Sequence, residues 1–440
     1  MRRTATFSLG LMSILAVALF LTPKSAFAAK CNWTVTGKLA VKHKLLELKD
    51  KFNGRSLLRG VLVNVSARKK VGALWTPWGS WGSVRTSRSG KFLISKRKSC
   101  GKRKFRVRVK FKDSSLEVRH KKSHPANWVK WHTVIKNRPR RAGGGRISYG
   151  QLTFKPGGKR ALGNDFARAQ ADIWVLYKMA IRHVRRMGKG YRFKGKVKVK
   201  YPHKGPVKDD IESSYADPLT KEIWIIKNSK KDQFFTNYLL HELGHVWAYN
   251  HSSGENCLTQ ELLKPPHTTH GLVKDHCAAF HEGFAEYWME KMRQALFGKR
   301  APLPVSRKWV ASQGLTTLRR VQRHDWGWNS VFRMLTTPNI HKYDFGTALT
   351  GAKGYVVAKS SAPKGCTSPK ITFKNVLRAF NPRSSKGYPK QLARKETTIS
   401  KFLNRSAAIL GPMTRRHGRM YKKLADPSKT SQPSDSLCRS

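Results

Sequence analysis

The sequence predicts an N-terminal antiparallel β-sandwich followed by an α+β domain that is mainly helical toward the C-terminus. Two observations lead to this prediction. Over residues 29–136, short segments alternate apolar and basic residues, as half-buried strands do. From about residue 166, the apolar residues recur with the period of a helix. The chain has 440 residues, of which 39% are hydrophobic, and this is enough for two domains with sizeable cores.

The first 28 residues have the pattern of a secretory signal peptide. Arg2 and Arg3 begin it, an apolar run spans 7–21, and the Ala-Phe-Ala segment at 26–28 offers a cleavage site. The apolar run is short for a membrane span. We therefore expect export to the periplasm or the exterior, with residues 1–28 removed and no transmembrane segment remaining.

The segment KFRVRVKFKD is the clearest strand of the predicted sandwich. Its apolar residues fall on one face and its cations on the other, so one side is buried and the other is basic. The cations are Arg106, Arg108, Lys110 and Lys112. Several such strands, with turn signals between them, predict the sandwich over 29–136.

The segment SVRTSRSGKFLIS resembles the prealbumin-like or carboxypeptidase-regulatory-like module. In that sandwich a Thr after a strand is followed by a polar turn and by Gly-x-Phe. Here Ser87 follows Thr86, where those modules usually have Asp. The resemblance implies an accessory binding or spacer domain without catalytic residues.

Three tryptophans, Trp75, Trp78 and Trp81, lie close together in a loop of the predicted sandwich that contains Gly and Pro. They either pack over the end of the sandwich or offer aromatic faces to glycans or to polyanions. The sequence leaves both interpretations open.

Residues 137–165 are basic and rich in Gly and Pro, which predicts a linker that partly folds onto the next domain. The second domain is expected over 166–415. A basic tail over 416–440 follows, with Cys438 as its candidate tether.

The second domain is predicted to begin with a helix that ends at Gly188, followed by a strand and by a hairpin that turns at Asp217-Pro218. Further helices are predicted at 231–250, 277–297, 306–320, 326–337, 371–380 and 396–410.

Six cysteines in an exported chain predict disulfides. Their grouping along the chain favours three local pairs, Cys31–Cys100, Cys257–Cys277 and Cys366–Cys438. Structural zinc is the alternative, but the sequence contains no CxxC pair.

The stretch LLHELGHVWAYNHS places two histidines and a glutamate in an otherwise apolar helix. His241, Glu242 and His245 form HExxH, and both imidazoles can bind one metal ion because residues four apart share a helix face. Glu242 lies about 100° round the helix, where it can reach a water at the metal without being a ligand. Ser229 and Asp232 form an S-x-x-D capping signal ahead of this helix.

A catalytic zinc needs a third protein ligand and an open position. An HExxH helix followed by a helix with EGFAEY resembles the gluzincin metallopeptidases, in particular the NEGFA signature of their aminopeptidase-type branch. The resemblance implies a thermolysin-like fold, Glu282 as third zinc ligand, and Glu286 as a carboxylate that steadies a ligand histidine. His281 stands where those enzymes usually have Asn. Aminopeptidase activity is not expected, because the sequence has no GAMEN-like segment to recognise a substrate amine.

The resemblance also implies a peptide or protein substrate. In gluzincins a short edge strand precedes the HExxH helix and pairs with extended substrate, and 221–227 holds that place here. Zinc would polarise the scissile carbonyl, while Glu242 would take a proton from water and deliver it to the leaving nitrogen. A downstream Tyr or His would steady the oxyanion, and the candidates are His324, Tyr343 and Tyr355.

The chain is strongly basic, with 89 Lys and Arg against 24 Asp and Glu and a net charge of +65. This predicts a polyanionic partner surface, either a cell-envelope polymer or non-specifically bound nucleic acid. The alternative is a composition that favours lysine on solvated faces. No nucleic-acid fold motif supports sequence-specific reading.

Three functions agree with these patterns. The first is an exported zinc metallopeptidase held near an anionic surface. The second is an amidase or endopeptidase of cell-wall peptides. The third is a non-catalytic polyanion-binding protein with a vestigial zinc site. Metal content and the Glu242→Gln variant separate the third from the other two.

Overall fold

The computed structural model describes residues 30–119, 134–136, 145–155, 165–203, 214–217, 220–226, 236–252, 275–299, 314–337, 369–380, 391–411 and 413–429. The predicted signal peptide at 1–28 lies outside these residues, and so do Ser229, Asp232, Cys257, Tyr343, Tyr355, Cys366 and Cys438. No helix among the described residues combines the length and the apolar character that crossing a membrane requires.

The first sheet is built around the long strand β1 (Lys30–Lys42). On one side, β1 pairs antiparallel with β6 (Lys91–Ser99) over its first part and with β2 (Arg55–Leu57) near its end. On its other side, β10 (Gly145–Phe154) pairs with it in parallel. Between β1 and β2 the chain forms the short helix α1 (Leu46–Lys51).

The second sheet is antiparallel and is centred on β3 (Leu62–Val71) and β7 (Arg103–Lys110). Both β4 (Leu74–Trp75) and β5 (Gly79–Arg85) pair with β3, while β9 (Val134–Lys136) pairs with β7. The predicted alternation in β7 is confirmed, since its apolar residues are buried and its cations are partly exposed.

The first two sheets meet at Phe105 of β7. The ring centroids of Trp33 in β1 and Trp81 in β5 lie 5.8 and 5.1 Å from that of Phe105. Tyr149 of β10 donates its hydroxyl to the Phe105 carbonyl at 2.9 Å. Trp81 therefore belongs to the core between the sheets.

Cys31 and Cys100 form the predicted disulfide, which links the start of β1 to the residue after β6. Cys277 is also disulfide-bonded, and its partner lies outside the described residues. No cysteine in the described part of the chain is free. The pairing of Cys277 with Cys257 stays a prediction.

The third sheet has the order β12-β13-β11-β8, formed by Tyr215–Asp217, Glu222–Ile226, Val197–His203 and Leu116–Arg119. β12 and β13 form the predicted hairpin. The prediction that 221–227 is the edge strand is wrong. β13 pairs with β11 on one side and with β12 on the other, so the short strand β12 is the edge.

Two boundaries of the predicted domains also differ from the structure. β10 lies within the predicted linker at 137–165, yet it pairs with β1 and buries Ile147 and Tyr149. β8 lies within the predicted sandwich at 29–136, yet it pairs in parallel with β11 of the third sheet. Both partners are distant in sequence, and local composition does not show such pairings.

Helix α2 (Asp165–Met187) contacts both the first and the third sheet. Tyr177 donates its hydroxyl to the carbonyl that precedes β8, at 2.8 Å. Asp172 lies 2.6 Å from Nδ1 of His43, whose Nε2 lies 2.8 Å from the Ser56 hydroxyl. The His43 side chain is 0% exposed and cannot reach a substrate, so this chain of contacts joins β1 and β2 to α2 structurally.

The remaining helices are α3 (Thr236–His251), α4 (His276–Phe297), α5 (Leu318–Val321), α6 (Asp325–Thr336), α7 (Phe373–Phe380), α8 (Ile399–Ile409) and α9 (Arg415–Ala425). Six of the predicted helices are confirmed, as α2, α3, α4, α6, α7 and α8. Most of the predicted helix at 306–320 lies outside the described residues. α9 falls in the predicted tail, where cations hide the helical spacing of its buried residues Met420, Tyr421 and Leu424.

Candidate metal centre

The centre lies where α3 and α4 pack against each other at Gly244. A Cβ placed on Gly244 would lie 2.9 Å from the Ala285 Cα and 3.1 Å from the Trp288 Cβ, closer than real side chains normally approach. Glycine therefore permits a separation between the two helices that any side chain would increase. This close approach brings the HExxH histidines of α3 opposite the two carboxylates that lie one turn apart on α4.

Three side-chain atoms converge between the helices. His245 Nε2 lies 3.0 Å from His241 Nε2 and 3.2 Å from Glu282 Oε2. The third side of the triangle, from His241 Nε2 to the same Glu282 oxygen, is 3.3 Å. These are the three residues that the sequence predicts as metal ligands, and together they could hold a metal ion.

The size of this triangle fits zinc. Ligand atoms about 2.0–2.1 Å from a tetrahedral ion stand about 3.3 Å from one another. The three measured separations, 3.0, 3.2 and 3.3 Å, match such an edge. Two imidazole nitrogens and one carboxylate oxygen are also a ligand set of catalytic zinc sites, which leave a fourth position open.

Glu286 lies behind His241. Its Oε1 is 3.1 Å from His241 Nδ1, on the far side of the ring from the converging Nε2. A carboxylate in this place favours the proton on Nδ1, which leaves the Nε2 lone pair free for a metal. The contact corresponds to the role that the sequence predicts for Glu286.

The buried charges at the site stabilise one another. Burial alone would lower the pKa of His241, but the Glu282 and Glu286 carboxylates raise it well above the usual value. Burial alone would raise the pKa of Glu282, but His245 and His241 hold it well below. The pocket between the helices therefore favours a positive charge next to an ionised carboxylate.

Glu242 is buried beside the triangle and is not one of the three converging groups. Burial raises its pKa to about 7, against the opposing effect of the two histidines. A carboxylate with this pKa can accept a proton near neutral pH and release it again. A cation bound by the three converging groups would lower the pKa of Glu242, because a positive charge favours the ionised carboxylate.

His324 is the one described residue among the three oxyanion candidates. It precedes α6, and its Nδ1 lies 2.7 Å from Asp325 Oδ1. Burial raises the pKa of Asp325 and the Glu282 charge adds to this, although His324 opposes it. The start of α6 packs against α4 at Gly283, the residue after Glu282.

Three features of the site are not evident in the sequence. Gly283 lets α4 meet the start of α6, since an added Cβ would lie 2.5 Å from the Asp325 carbonyl oxygen. His281 is fully buried, stacks on Tyr249 and has no hydrogen-bond partner on either ring nitrogen among the described residues. Tyr215 of β12 lies within the field of Glu242, which adds to the effect of burial in raising the pKa of Tyr215. The sequence offers one sign of the close helix contacts, which is a glycine beside a candidate ligand. Gly244 precedes His245, and Gly283 follows Glu282.

No family model matches the chain, and no curated protein matches it. Among solved structures, the chain is similar to the 9R-lipoxygenase from Cyanothece PCC8801, with 14% sequence identity and a TM-score of 0.15. The match covers 76% of this chain and 36% of the lipoxygenase chain. Similarity this weak does not bear on the fold or the function of the protein.

Proposed function

We propose that this protein is an exported zinc metallopeptidase of the gluzincin type, in which a β-sandwich region precedes a thermolysin-like catalytic domain. One observation carries the proposal. His241, His245 and Glu282 converge at the spacing of a tetrahedral zinc site, with Glu286 behind one ligand and Glu242 beside the group.

Zinc held by these residues would polarise the carbonyl of a bound peptide and make water a better nucleophile at neutral pH. With zinc bound, Glu242 would accept a proton from the attacking water and pass it to the leaving nitrogen, because it is buried beside the three ligands without being one of them. Glu286 keeps the His241 ring in one orientation. Of the three predicted oxyanion donors, His324 is the one among the described residues, and it is the donor proposed here.

The edge strand β12 is the proposed position for an extended substrate. β12 pairs with β13 on one side and with no other described strand. It also contacts α3, which carries the HExxH residues. A peptide added to this edge would gain backbone hydrogen bonds to a strand that contacts α3. This corrects the expectation that 221–227 takes this role.

The disulfides support export. Cys31 and Cys100 are bonded to each other and Cys277 is bonded to a further cysteine, which suits an oxidising compartment. They agree with the secretory signal expected in residues 1–28.

Digestion of a peptide library by the zinc-loaded protein tests the proposal. We expect cleavage of internal peptide bonds, loss with a chelator and recovery with zinc. Glu242→Gln should retain zinc and cleave at least about 100-fold more slowly, because an amide cannot accept the proton. Glu117→Gln, on β8, is the matched control and should cleave normally. If Glu242→Gln cleaved peptides as fast as the wild type, the mechanism would be ruled out. Digestion of purified cell wall in parallel tests the amidase alternative.

A further inference from the structure

The hairpin of β3 and β4 exposes an apolar tip. Val71 and Leu74 pair across a two-residue turn, in which Gly72 has a φ of 56°. Val71 is 59% exposed and Leu74 is 77% exposed, whereas most large apolar side chains in the described part of the chain are buried. Apolar side chains held at a tight turn in water give no benefit to the fold itself.

Cations surround this tip. Arg68 lies directly opposite Lys104, and Lys69 lies opposite Arg103, on β3 and β7. Like charges opposite each other destabilise a sheet. Within the described residues, none of these four forms an ion pair with a carboxylate. No carboxylate among the described residues offsets this repulsion, and an anionic partner would do so.

Two tryptophans that follow the tip in the chain, Trp75 and Trp78, contact cations of β3 and β7. Trp75 has the Lys104 Nζ 4.6 Å and the Arg68 Cζ 5.3 Å from its ring centroid. Trp78 has the Arg68 Cζ at 4.9 Å and the Arg106 Cζ at 4.4 Å. Because cations already stack on these rings, the rings are poorly placed to stack on bases or sugars.

Along the hairpin the apolar tip comes first, then the half-buried Trp75, and then Arg68 and Lys104, which form no ion pair with a carboxylate among the described residues. A bilayer presents the matching order from its interior outward, which is acyl chains, then the interface, then anionic headgroups. A soluble polyanion would use the cations and leave Val71 and Leu74 in water. We propose that this hairpin docks the protein on an anionic lipid surface, with Val71 and Leu74 in the acyl region and Arg68 and Lys104 on headgroup phosphates.

Vesicle co-sedimentation of the full mature chain tests this without reference to the zinc site. The vesicles are phosphatidylglycerol with phosphatidylcholine in equal parts, or phosphatidylcholine alone. We expect binding to the anionic vesicles only. Val71→Ser with Leu74→Ser should weaken it by at least about tenfold, since two apolar side chains no longer leave water. Leu93→Ser is the matched control, because Leu93 is 54% exposed on β6, and should bind as the wild type does.

The second part of the test removes the cations at Arg68 and Lys104. Arg68→Gln and Lys104→Gln should each weaken binding to the anionic vesicles by about fivefold. Heparin and single-stranded DNA are the soluble comparison, and their binding should not change in the Val71→Ser, Leu74→Ser variant. If that variant bound vesicles as tightly as the wild type, or if heparin bound the protein and anionic vesicles did not, the proposal would be overturned.

Fluorescence gives an independent readout that does not depend on the folding of the serine variant. Brominated phosphatidylglycerol should quench the wild type more than Trp75→Phe, because Trp75 lies at the level of the interface. Equal quenching of the two proteins would contradict the proposed depth.

Discussion

Gly244 of α3 lies so close to Ala285 of α4 that a single added Cβ would come within 2.9 Å of the Ala285 Cα. Gly244 lies between His241 and His245, the two histidines of the candidate site, and Ala285 lies between Glu282 and Glu286. The separation of the helices therefore sets the separation of the ligands.

Gly244→Ala should force α3 and α4 apart. We expect a loss of about 1–3 kcal/mol in the free energy of unfolding, because overpacking shifts backbone that cannot move freely. Zinc affinity should fall as well, since the His245 and Glu282 atoms no longer converge. Urea unfolding and zinc titration measure the two effects. Gly411→Ala is the control, because a Cβ there meets nothing within 4 Å. Unchanged zinc affinity in Gly244→Ala would contradict the role of this contact.

Glu286→Gln should weaken zinc binding by about 10- to 100-fold while the fold is retained. The amide cannot hold the His241 ring through a charged contact at Nδ1. Competition with a chromophoric chelator gives the affinity, and the melting temperature reports the fold. If Glu286→Gln bound zinc as tightly as the wild type, Glu286 would not be needed to orient the His241 ring.

Cys277 should be bonded to Cys257. Such a bridge closes a loop between α3 and α4 and contributes about 3 kcal/mol by the loop-entropy estimate. Mass mapping of peptides from the non-reduced protein identifies the partner. A Cys277 peptide linked to Cys366 or Cys438 would contradict the local pairing.

In the metal-free protein, kept so by a chelator, acid should lower the free energy of unfolding through His251. Burial lowers the pKa of His251 to about 4, although its contact with the Arg192 carbonyl opposes this shift. An unfolded histidine has a pKa of about 6.5, so the unfolded state binds the proton first as the pH falls. Stability is therefore complete above about pH 6.5 and falls by about 2–3 kcal/mol toward pH 4.

Urea unfolding from pH 7 to 4, with a chelator present, measures this slope. His251→Phe keeps the stacking on Trp247 but cannot titrate, so it should lose part of the pH dependence. An identical slope in the wild type and in His251→Phe would remove His251 as the cause.

The sequence predicts the convergence of His241, His245 and Glu282 better than it predicts the fold around them. His241, His245 and Glu282 are recognisable because a metal requires particular residue types and a helix fixes their spacing. The hairpin before α3 is recognisable because Asp217-Pro218 is a local turn signal. Strand pairings and helix contacts between residues far apart in the sequence leave no such local pattern.

β8 and β10 illustrate the limit. Each has the alternation of a strand, but nothing in either segment shows that its partner is β11 or β1. The same holds for β13, which looks like an edge strand until β12 is seen beside it. The role of Gly244 depends on Ala285, about forty residues further along the chain. Helix α9 is hidden because cations interrupt its apolar face.

The zinc content of the purified protein, after equilibration in zinc and dialysis against metal-free buffer, tests the central claim most directly. We predict one zinc per chain in the wild type and in Glu242→Gln, and a loss of tightly bound zinc in His241→Ala, His245→Ala and Glu282→Ala, because each removes one of three protein ligands. A wild type without zinc, or a His245→Ala variant that holds one zinc as tightly as the wild type, would contradict the claim.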